Sequence, residues 1–252
     1  MALYASFPLD SFADITSLQA NGTQTTGNSS PSGVDGRLEI VDDPLGERGR
    51  VMRATLYETD ATTAGYQRSE IAFAPDSIGE WWHSWWFMLD ESWTDFDAPF
   101  IVQQIHDTPD GGDGQKAPNF LTNILSGHLR VIVPEQTLPT ESGNLRRAGC
   151  IGVQNRRWYH CCLHVIWSTT GTGLRELFVD GVPIHRENSL PTQYVDVVGP
   201  YLKLGVYDGL SATAGWTQRR AYFSGLRMWS GPATYQDGMA REPALPRRVT
   251  LL

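Results

Sequence analysis

Three short segments of the chain carry polar side chains at alternate positions. Arg68 and Glu70 lie in the first segment, Gln104 and His106 in the second, and the third reads YLKLGVY over 201–207. Because successive side chains of a strand point to opposite faces, each set shares one face if its segment is extended. Together they supply groups that bind anions (guanidinium, carboxamide, ammonium) and groups that transfer protons (imidazole, phenol).

These groups converge on one surface if the three segments are neighbouring strands of one sheet. The converging side chains would be Arg68, Gln104, His106, Lys203 and Tyr207. Each has an ordinary structural alternative: a cross-strand charge ladder for the arginine, a structural hydrogen bond for the histidine, and a solvated face for the lysine and tyrosine. The conjunction of three such segments is what favours a functional site. In the third, Gly205 leaves a gap that allows close approach of a ligand or another backbone.

Strand-like segments recur between turn signals along the whole chain. They cover 37–41, 50–58, 68–74, 81–89, 100–106, 120–125, 128–133, 158–167, 174–179, 182–187, 201–207 and 221–229. Asp180-Gly181 is the strongest hairpin signal. The spacing predicts a sandwich or barrel formed by a single domain over 1–252, with an irregular loop over 17–36 and a surface tail over 231–252.

Alternation predicts which side chains of the second segment face the same way. Val102, Gln104 and His106 should share one face, and Ile101, Gln103 and Ile105 should share the other.

Composition and charge exclude some partners. The chain has a formal net charge of -8, and its only lysines are Lys116 and Lys203. This argues against a protein that binds nucleic acid by neutralising phosphates, but it allows an anionic polymer if positive charge is concentrated locally. No apolar run approaches the length needed to span a membrane. We therefore expect neither a nucleic-acid nor a membrane partner.

The three segments resemble the motif set of the alginate lyases of polysaccharide lyase family seven. That family carries RxE, QIH and YFKxGxY strands, and here the same order appears as Arg68-Ser69-Glu70, Gln104-Ile105-His106 and 201–207. The chain is closer still to the heparin lyase I-like and glucuronan lyase group than to the alginate lyases in three segments, WWHSWWFML, LFVDGVPI and YLKLGVYDG. The resemblance covers roughly residues 65–230. RSEIAF replaces the family's RxELR, and Asp208-Gly209 follows the last tyrosine; these departures bear on the substrate rather than on the reaction type.

The resemblance implies an all-β fold, a concanavalin A-like jelly-roll β-sandwich of two antiparallel sheets with the site on its concave face. It also implies β-elimination in a uronic-acid polymer, which removes the proton at C5 and expels the glycosidic oxygen at C4. Arg68 and Gln104 would neutralise the carboxylate and hold the enolate-like intermediate. His106 suits the role of base, and Tyr207 suits the role of proton donor to the leaving oxygen.

The stereochemistry of the substrate leaves the identity of the base open. If the C5 hydrogen and O4 lie on the same side of the ring, Tyr207 acts as both base and acid. If they lie on opposite sides, His106 is the base. Further residues predicted to contact the substrate are Glu70, Asn119, Asn123, Arg130, Tyr201 and Lys203.

Two other functions fit the same fold. A non-catalytic carbohydrate-binding module is the main alternative, although a lectin would not need the combination of Gln104, His106 and Tyr207. A glycoside hydrolase is a third, but the acidic E-x-D-x-x-E strand of laminarinase-like enzymes is missing.

We expect no required cofactor and no metal. Asp107, Asp110 and Asp113 are alternative calcium ligands, but their spacing fits no standard calcium loop and favours a plain turn. Cys161 and Cys162 point to opposite faces of a strand, which does not build a tetrahedral zinc site. The expected protein is a monomer that binds an anionic polysaccharide and is extracellular or virion-associated, although no secretory signal is visible.

Overall fold

The computed structural model describes residues 2–7, 9–10, 12, 15–26, 34, 36–63, 65–93, 98–108, 110–111, 116–135, 144–209 and 216–236. The strands are β1 Ala2–Phe7, β2 Ser17–Ala20, β3 Thr23–Thr26, β4 Leu38–Asp42, β5 Arg50–Tyr57, β6 Arg68–Ala72, β7 Gly79–Leu89, β8 Phe100–Thr108, β9 Phe120–Leu125, β10 His128–Pro134, β11 Leu145–Gly152, β12 Tyr159–Trp167, β13 Gly173–Val179, β14 Val182–Leu190, β15 Val198–Tyr207 and β16 Gln218–Ser230.

These strands form two antiparallel sheets of eight. The first has the order β14-β13-β12-β7-β16-β5-β4, with β1 also paired to β16; the second has the order β11-β10-β9-β8-β15-β6-β2-β3. Buried apolar side chains of both sheets meet in one core that includes Trp85, Phe87, Leu163, Leu202 and Leu204. The predicted all-β sandwich of two antiparallel sheets is therefore confirmed.

The alternation predicted for the third polar segment is confirmed in β15. Leu202, Leu204 and Val206 are fully buried in the core, whereas Tyr201, Lys203 and Tyr207 point the other way, into a cavity. We call the face of the second sheet that points away from the core the groove face. It carries Arg68, Gln104, His106, Tyr201, Lys203 and Tyr207.

The prediction for the second polar segment is wrong at two positions. Val102 packs in the core, whereas Ile101 packs beside Leu121 and Tyr207 on the groove face. The pairing register between β8 and β9 shifts between Ile101 and Gln103. Such a bulge adds one residue to a strand and reverses the faces on either side of it. Beyond the bulge, Gln104 and His106 lie on the groove face as predicted.

The prediction of an irregular loop over 17–36 is also wrong in its first half. β2 and β3 form a hairpin that extends the second sheet beyond β6. Its turn is Asn21-Gly22, and both residues have positive φ, 46° and 73°. An Asn-Gly pair with this backbone is typical of a tight two-residue hairpin. Residues 27–33 and 35 lie outside the described residues.

Asp180-Gly181, the strongest predicted hairpin signal, joins β13 to β14 as expected. In the predicted surface tail, Tyr235 packs against Phe178 with ring centroids 4.6 Å apart; 237–252 lie outside the described residues. Cys161 packs in the core, and Cys162 packs on the opposite face with Trp82 and Trp229. In the part of the chain that the structure describes, no helix is long and apolar enough to cross a membrane.

Candidate active site

The three predicted polar segments are neighbouring strands of the second sheet. β15 lies between β8 and β6, so the groups that the sequence spaces far apart meet on one surface. The opposing residues are His106 with Tyr201, Gln104 with Lys203, Glu70 with Gly205, and Arg68 with Tyr207. The convergence expected from the sequence is therefore present.

Glu70 and Gln104 meet across β15 at the position where that strand has no side chain. Gln104 Nε2 donates to Glu70 Oε1 over 2.7 Å, although the two residues belong to β8 and β6. Gly205 lies between them with φ of 155°, and a Cβ there would be only 2.1 Å from Ser69 O and 2.6 Å from Glu70 Cα. The glycine therefore allows both the close strand approach and the hydrogen bond above it.

Arg68 is held in place by its neighbours on both sides. Its Nη1 donates to Gln19 Oε1 over 3.1 Å and lies 3.7 Å from Glu70 Oε2. Its guanidinium carbon is 4.3 Å from the centre of the Tyr207 ring. A planar guanidinium fixed in this way is preorganised to bind a carboxylate, because little rotamer freedom remains to be lost.

Lys203 adds a second buried cation to the groove face. The residue is only 4% exposed, and its Nζ lies 3.4 Å from Gln19 Oε1 and 4.0 Å from Glu70 Oε2. Burial lowers the pKa of Lys203, and Glu70 partly offsets this. Two cations thus face a single buried carboxylate, which leaves an excess of positive charge for an anionic ligand.

The imidazole of His106 is oriented by the residue that follows it. Its Nδ1 lies 3.0 Å from the carbonyl oxygen of Asp107 and 2.9 Å from the Oδ1 of the same residue. A carbonyl oxygen only accepts hydrogen bonds, so the contact with it places the hydrogen of a neutral ring on Nδ1. Nε2 then keeps its lone pair and is able to accept a proton.

Both tyrosines of β15 are protonated at neutral pH. Burial raises the pKa of Tyr207 to about 12, and the Arg68 charge counteracts part of that rise. Burial also raises the pKa of Tyr201 to about 12, with further contributions from Glu70 and Asp107. In the free protein Tyr207 is thus a proton donor rather than a phenolate.

These side chains line an open cavity of about 600 Å³, a volume within the usual range for ligand sites. Arg68, Gln104, His106, Tyr201, Lys203 and Tyr207 all line it. Glu70 lies beneath it, bonded to Gln104.

The remaining predicted contact residues lie farther from the cavity. Asn123 and Arg130 are on β9 and β10, where Arg130 Nε donates to Asn123 Oδ1 over 2.9 Å. Asn119 is buried immediately before β9. None of the three is among the residues that line the cavity.

Sequence reasoning missed the contribution of the β2–β3 hairpin. Gln19 and Gln24 both line the cavity, and Gln19 accepts hydrogen bonds from Arg68 and Lys203. The signal that would have found them is the Asn21-Gly22 turn between two runs of alternating side chains. Lys116 also lines the cavity, paired with Asp196 at 2.8 Å.

No group of three or more His, Cys, Asp or Glu among the described residues is arranged to hold a metal ion. Of the alternative calcium ligands, Asp107 contacts His106 and Asp110 accepts the backbone N–H of Val197 over 3.0 Å. Asp113 lies outside the described residues.

A family model described as polysaccharide lyase matches residues 14–227, which include every strand of the groove face. The chain belongs to the polysaccharide lyase family. The resemblance seen in the motifs is therefore confirmed. A search of curated proteins gave no match.

Solved structures share the fold of this polysaccharide lyase at low sequence identity. An endo-β-1,4-glucuronan lyase from the fungus Trichoderma reesei has a TM-score of 0.70 at 15% identity, covering 91% of this chain and 96% of that chain. A family 7 alginate lyase in complex with product has 0.66 at 17%, covering 90% and 100%. An alginate lyase from Pseudomonas aeruginosa has 0.63 at 18%, covering 87% and 99%.

The departures of this polysaccharide lyase from the alginate lyase motifs fall beside the site. Ala72 stands where the RxELR motif has its second arginine; it is buried and lies opposite Lys203. Asp208, which follows the last tyrosine, is buried as well. The groove face therefore has one arginine fewer on β6 than the motif would supply.

Proposed function

We propose that this polysaccharide lyase cleaves a uronic-acid-containing polysaccharide by β-elimination, leaving an unsaturated sugar at the new end. The observation that carries the proposal is that Arg68, Gln104, His106 and Tyr207 line one cavity. They supply the anion-binding and proton-transfer groups that the reaction needs.

The first requirement of the reaction is stabilisation of the developing charge. Removing the C5 proton pushes negative charge onto a carboxylate that is already an anion. Arg68 can donate to this carboxylate through its fork, and Gln104 through the second hydrogen of an amide that Glu70 orients. Lys203 adds positive charge nearby.

The second requirement is a pair of proton-transfer groups. In its neutral form His106 presents the lone pair of Nε2 as the base, and Tyr207 presents a phenol hydrogen for the glycosidic oxygen at C4. This division suits a substrate whose C5 hydrogen and O4 lie on opposite sides of the ring. For a substrate in which they lie on the same side, Tyr207 takes both roles. The charge of Arg68, which offsets part of the burial-induced rise in the pKa of Tyr207, then favours the phenolate form.

The partner in this proposal is an anionic polysaccharide, for example glucuronan-, alginate- or capsule-like. The protein as a whole has a formal net charge of -8, so it attracts an anionic polymer only where positive charge is concentrated. Arg68 and Lys203 supply that charge beside the reacting groups. In the same proposal the protein acts as a monomer, outside the cell or on a virion, and requires no cofactor.

The test is incubation of the protein with alginate, glucuronan, heparin, hyaluronan and capsule preparations. The expected result is growth of the ultraviolet absorbance of the unsaturated product on at least one polymer. New reducing ends without that absorbance would indicate a hydrolase and contradict the proposal. Binding without any cleavage would indicate a carbohydrate-binding module and contradict it equally.

A further inference from the structure

One side of the cavity has an apolar floor, where Ile101 and Leu121 line it, and this floor continues to Ile132. Ile101, Leu121 and Ile132 form one cluster with the ring of Tyr207 at its edge. These residues lie on β8, β9 and β10, so the floor runs across the strands and away from the candidate catalytic groups. A sugar chain that lies along this floor meets the uncharged side chains of Ile101, Leu121 and Ile132.

Two arginines stand where this floor ends. Arg147 of β11 is directly opposite Ile132 of β10 in the register, and Arg130 lies two residues before Ile132. Residues directly opposite or two apart share a face of a sheet, so both arginines belong to the groove face. Burial and then the neighbouring Arg147 charge lower the pKa of Arg130, as expected when two guanidiniums lie close together.

These two arginines differ from others of the chain in their partners. Arg146 pairs with Glu187, Arg53 with Glu39, and Arg220 with Asp90. By contrast, none of the described carboxylates forms an ion pair with Arg130 or Arg147. Arg130 is instead oriented by its hydrogen bond from Nε to the amide oxygen of Asn123. No residue that the structure describes occupies its two terminal nitrogens, which therefore face a ligand.

We propose that Arg130 and Arg147 form a distal subsite that binds the carboxylate of a second uronate, several sugars away from the bond that is cleaved. This inference rests on the proposed function, because it assumes a charged polymer in the groove. β10 is three strand spacings from β15, about 14 Å at about 4.8 Å each. One ring cannot span that distance, so the subsite makes the protein prefer long chains.

The test compares wild type with the double variant Arg130→Gln/Arg147→Gln. A matched control, Arg156→Gln/Arg186→Gln, also removes two positive charges, from side chains that are 52% and 63% exposed and paired with Glu91 and Glu176 outside the groove face. For each protein, kcat/KM is measured on the polymer that wild type cleaves and on a short oligomer of the same sugar. Affinity for the uncut polymer is measured separately by calorimetric titration, with Tyr207→Phe added to each protein so that the polymer is not cleaved.

In Arg130→Gln/Arg147→Gln, the groove variant, we expect kcat/KM for the polymer divided by kcat/KM for the oligomer to fall about tenfold, which corresponds to about 1.4 kcal/mol. The control variant should keep the wild-type ratio. The calorimetric Kd for polymer should rise by a similar factor in the groove variant alone. An unchanged ratio and Kd, or equal losses in the groove and control variants, would overturn the subsite. If wild type binds a uronate polymer but cleaves none, the proposed function fails, and the Kd comparison still decides the subsite.

Discussion

Replacing Gly205 by alanine tests whether the cross-strand geometry of the site depends on a missing side chain. A Cβ at this position would meet Ser69 O at 2.1 Å and Glu70 Cα at 2.6 Å. Both are backbone atoms of β6, so no side-chain rotation can relieve the overlap. The φ of 155° is an added obstacle for a residue with a side chain.

The magnitude follows from these two effects. Forcing an extra methyl group into a packed region costs about 1–3 kcal/mol, and an unfavourable φ adds about 1–3 kcal/mol. We therefore expect Gly205→Ala to lose about 3 kcal/mol or more of unfolding free energy, a large part of the roughly 5–15 kcal/mol typical of a domain. Because β6 must move away from β15, the bond between Glu70 and Gln104 should also be lost, and activity with it.

The assay is equilibrium unfolding in urea followed by circular dichroism, together with the rate of product formation. Gly152→Ala is the matched control, because a Cβ there has no neighbour within 4 Å. It should unfold within about 0.5 kcal/mol of wild type, as surface substitutions usually do. If Gly205→Ala were as stable and as active as this control, the reasoning about strand approach would be refuted.

Three further perturbations test a buried histidine, the β2–β3 hairpin and the residue beside the imidazole. Burial lowers the pKa of His185 from 6.5 to about 4, so the contribution of its neutral ring to stability should be complete above pH 6.5 and be lost as the pH falls through 4. Over that range the unfolding free energy of His185→Gln should fall less steeply with pH than that of wild type. Equal slopes for the two proteins would contradict the assignment. Gln19→Ala removes the hydrogen-bond acceptor shared by Arg68 and Lys203. It should lower the unfolding free energy, measured in denaturant, by about 1–3 kcal/mol and should raise KM. An unchanged KM would mean that the hairpin does not support the site. Asp107→Ala removes the carboxylate that lies 2.9 Å from the imidazole Nδ1, and steady-state kinetics should show a fall in kcat with KM nearly constant. An unaltered kcat would show that the carboxylate has no positioning role.

The sequence predicts the part of the site that depends on the alternation of apolar and polar residues along a strand. In β15 every second residue is apolar and buried, so the polar residues between them had to face outward, and the structure shows this. The neighbourhood of β6, β8 and β15 was predicted from the conjunction of three such segments and from their resemblance to known motifs. Alternation by itself does not specify which strands pair.

The parts that could not be predicted depend on an irregularity within a strand and on the pairing of strands that the local sequence does not specify. The bulge in β8 exchanges the faces of Ile101 and Val102, and no local pattern in FIVQQIH marks it. The β2–β3 hairpin was obscured because its Ser, Thr, Asn and Gly content is also that of a loop. Arg147 lies on an edge strand whose residues are all exposed or half-buried, so only its partner β10 places it on the groove face.

In the proposed mechanism, one imidazole and one phenol on neighbouring strands carry out the elimination. The most direct measurement is the growth of ultraviolet absorbance from a cleaved uronate polymer with wild type, Tyr207→Phe and His106→Ala, alongside the urea unfolding curve of each protein. A rate loss of about 10²–10⁴-fold is expected in each variant, with unfolding curves close to that of wild type. Near-normal turnover by both variants would contradict this mechanism.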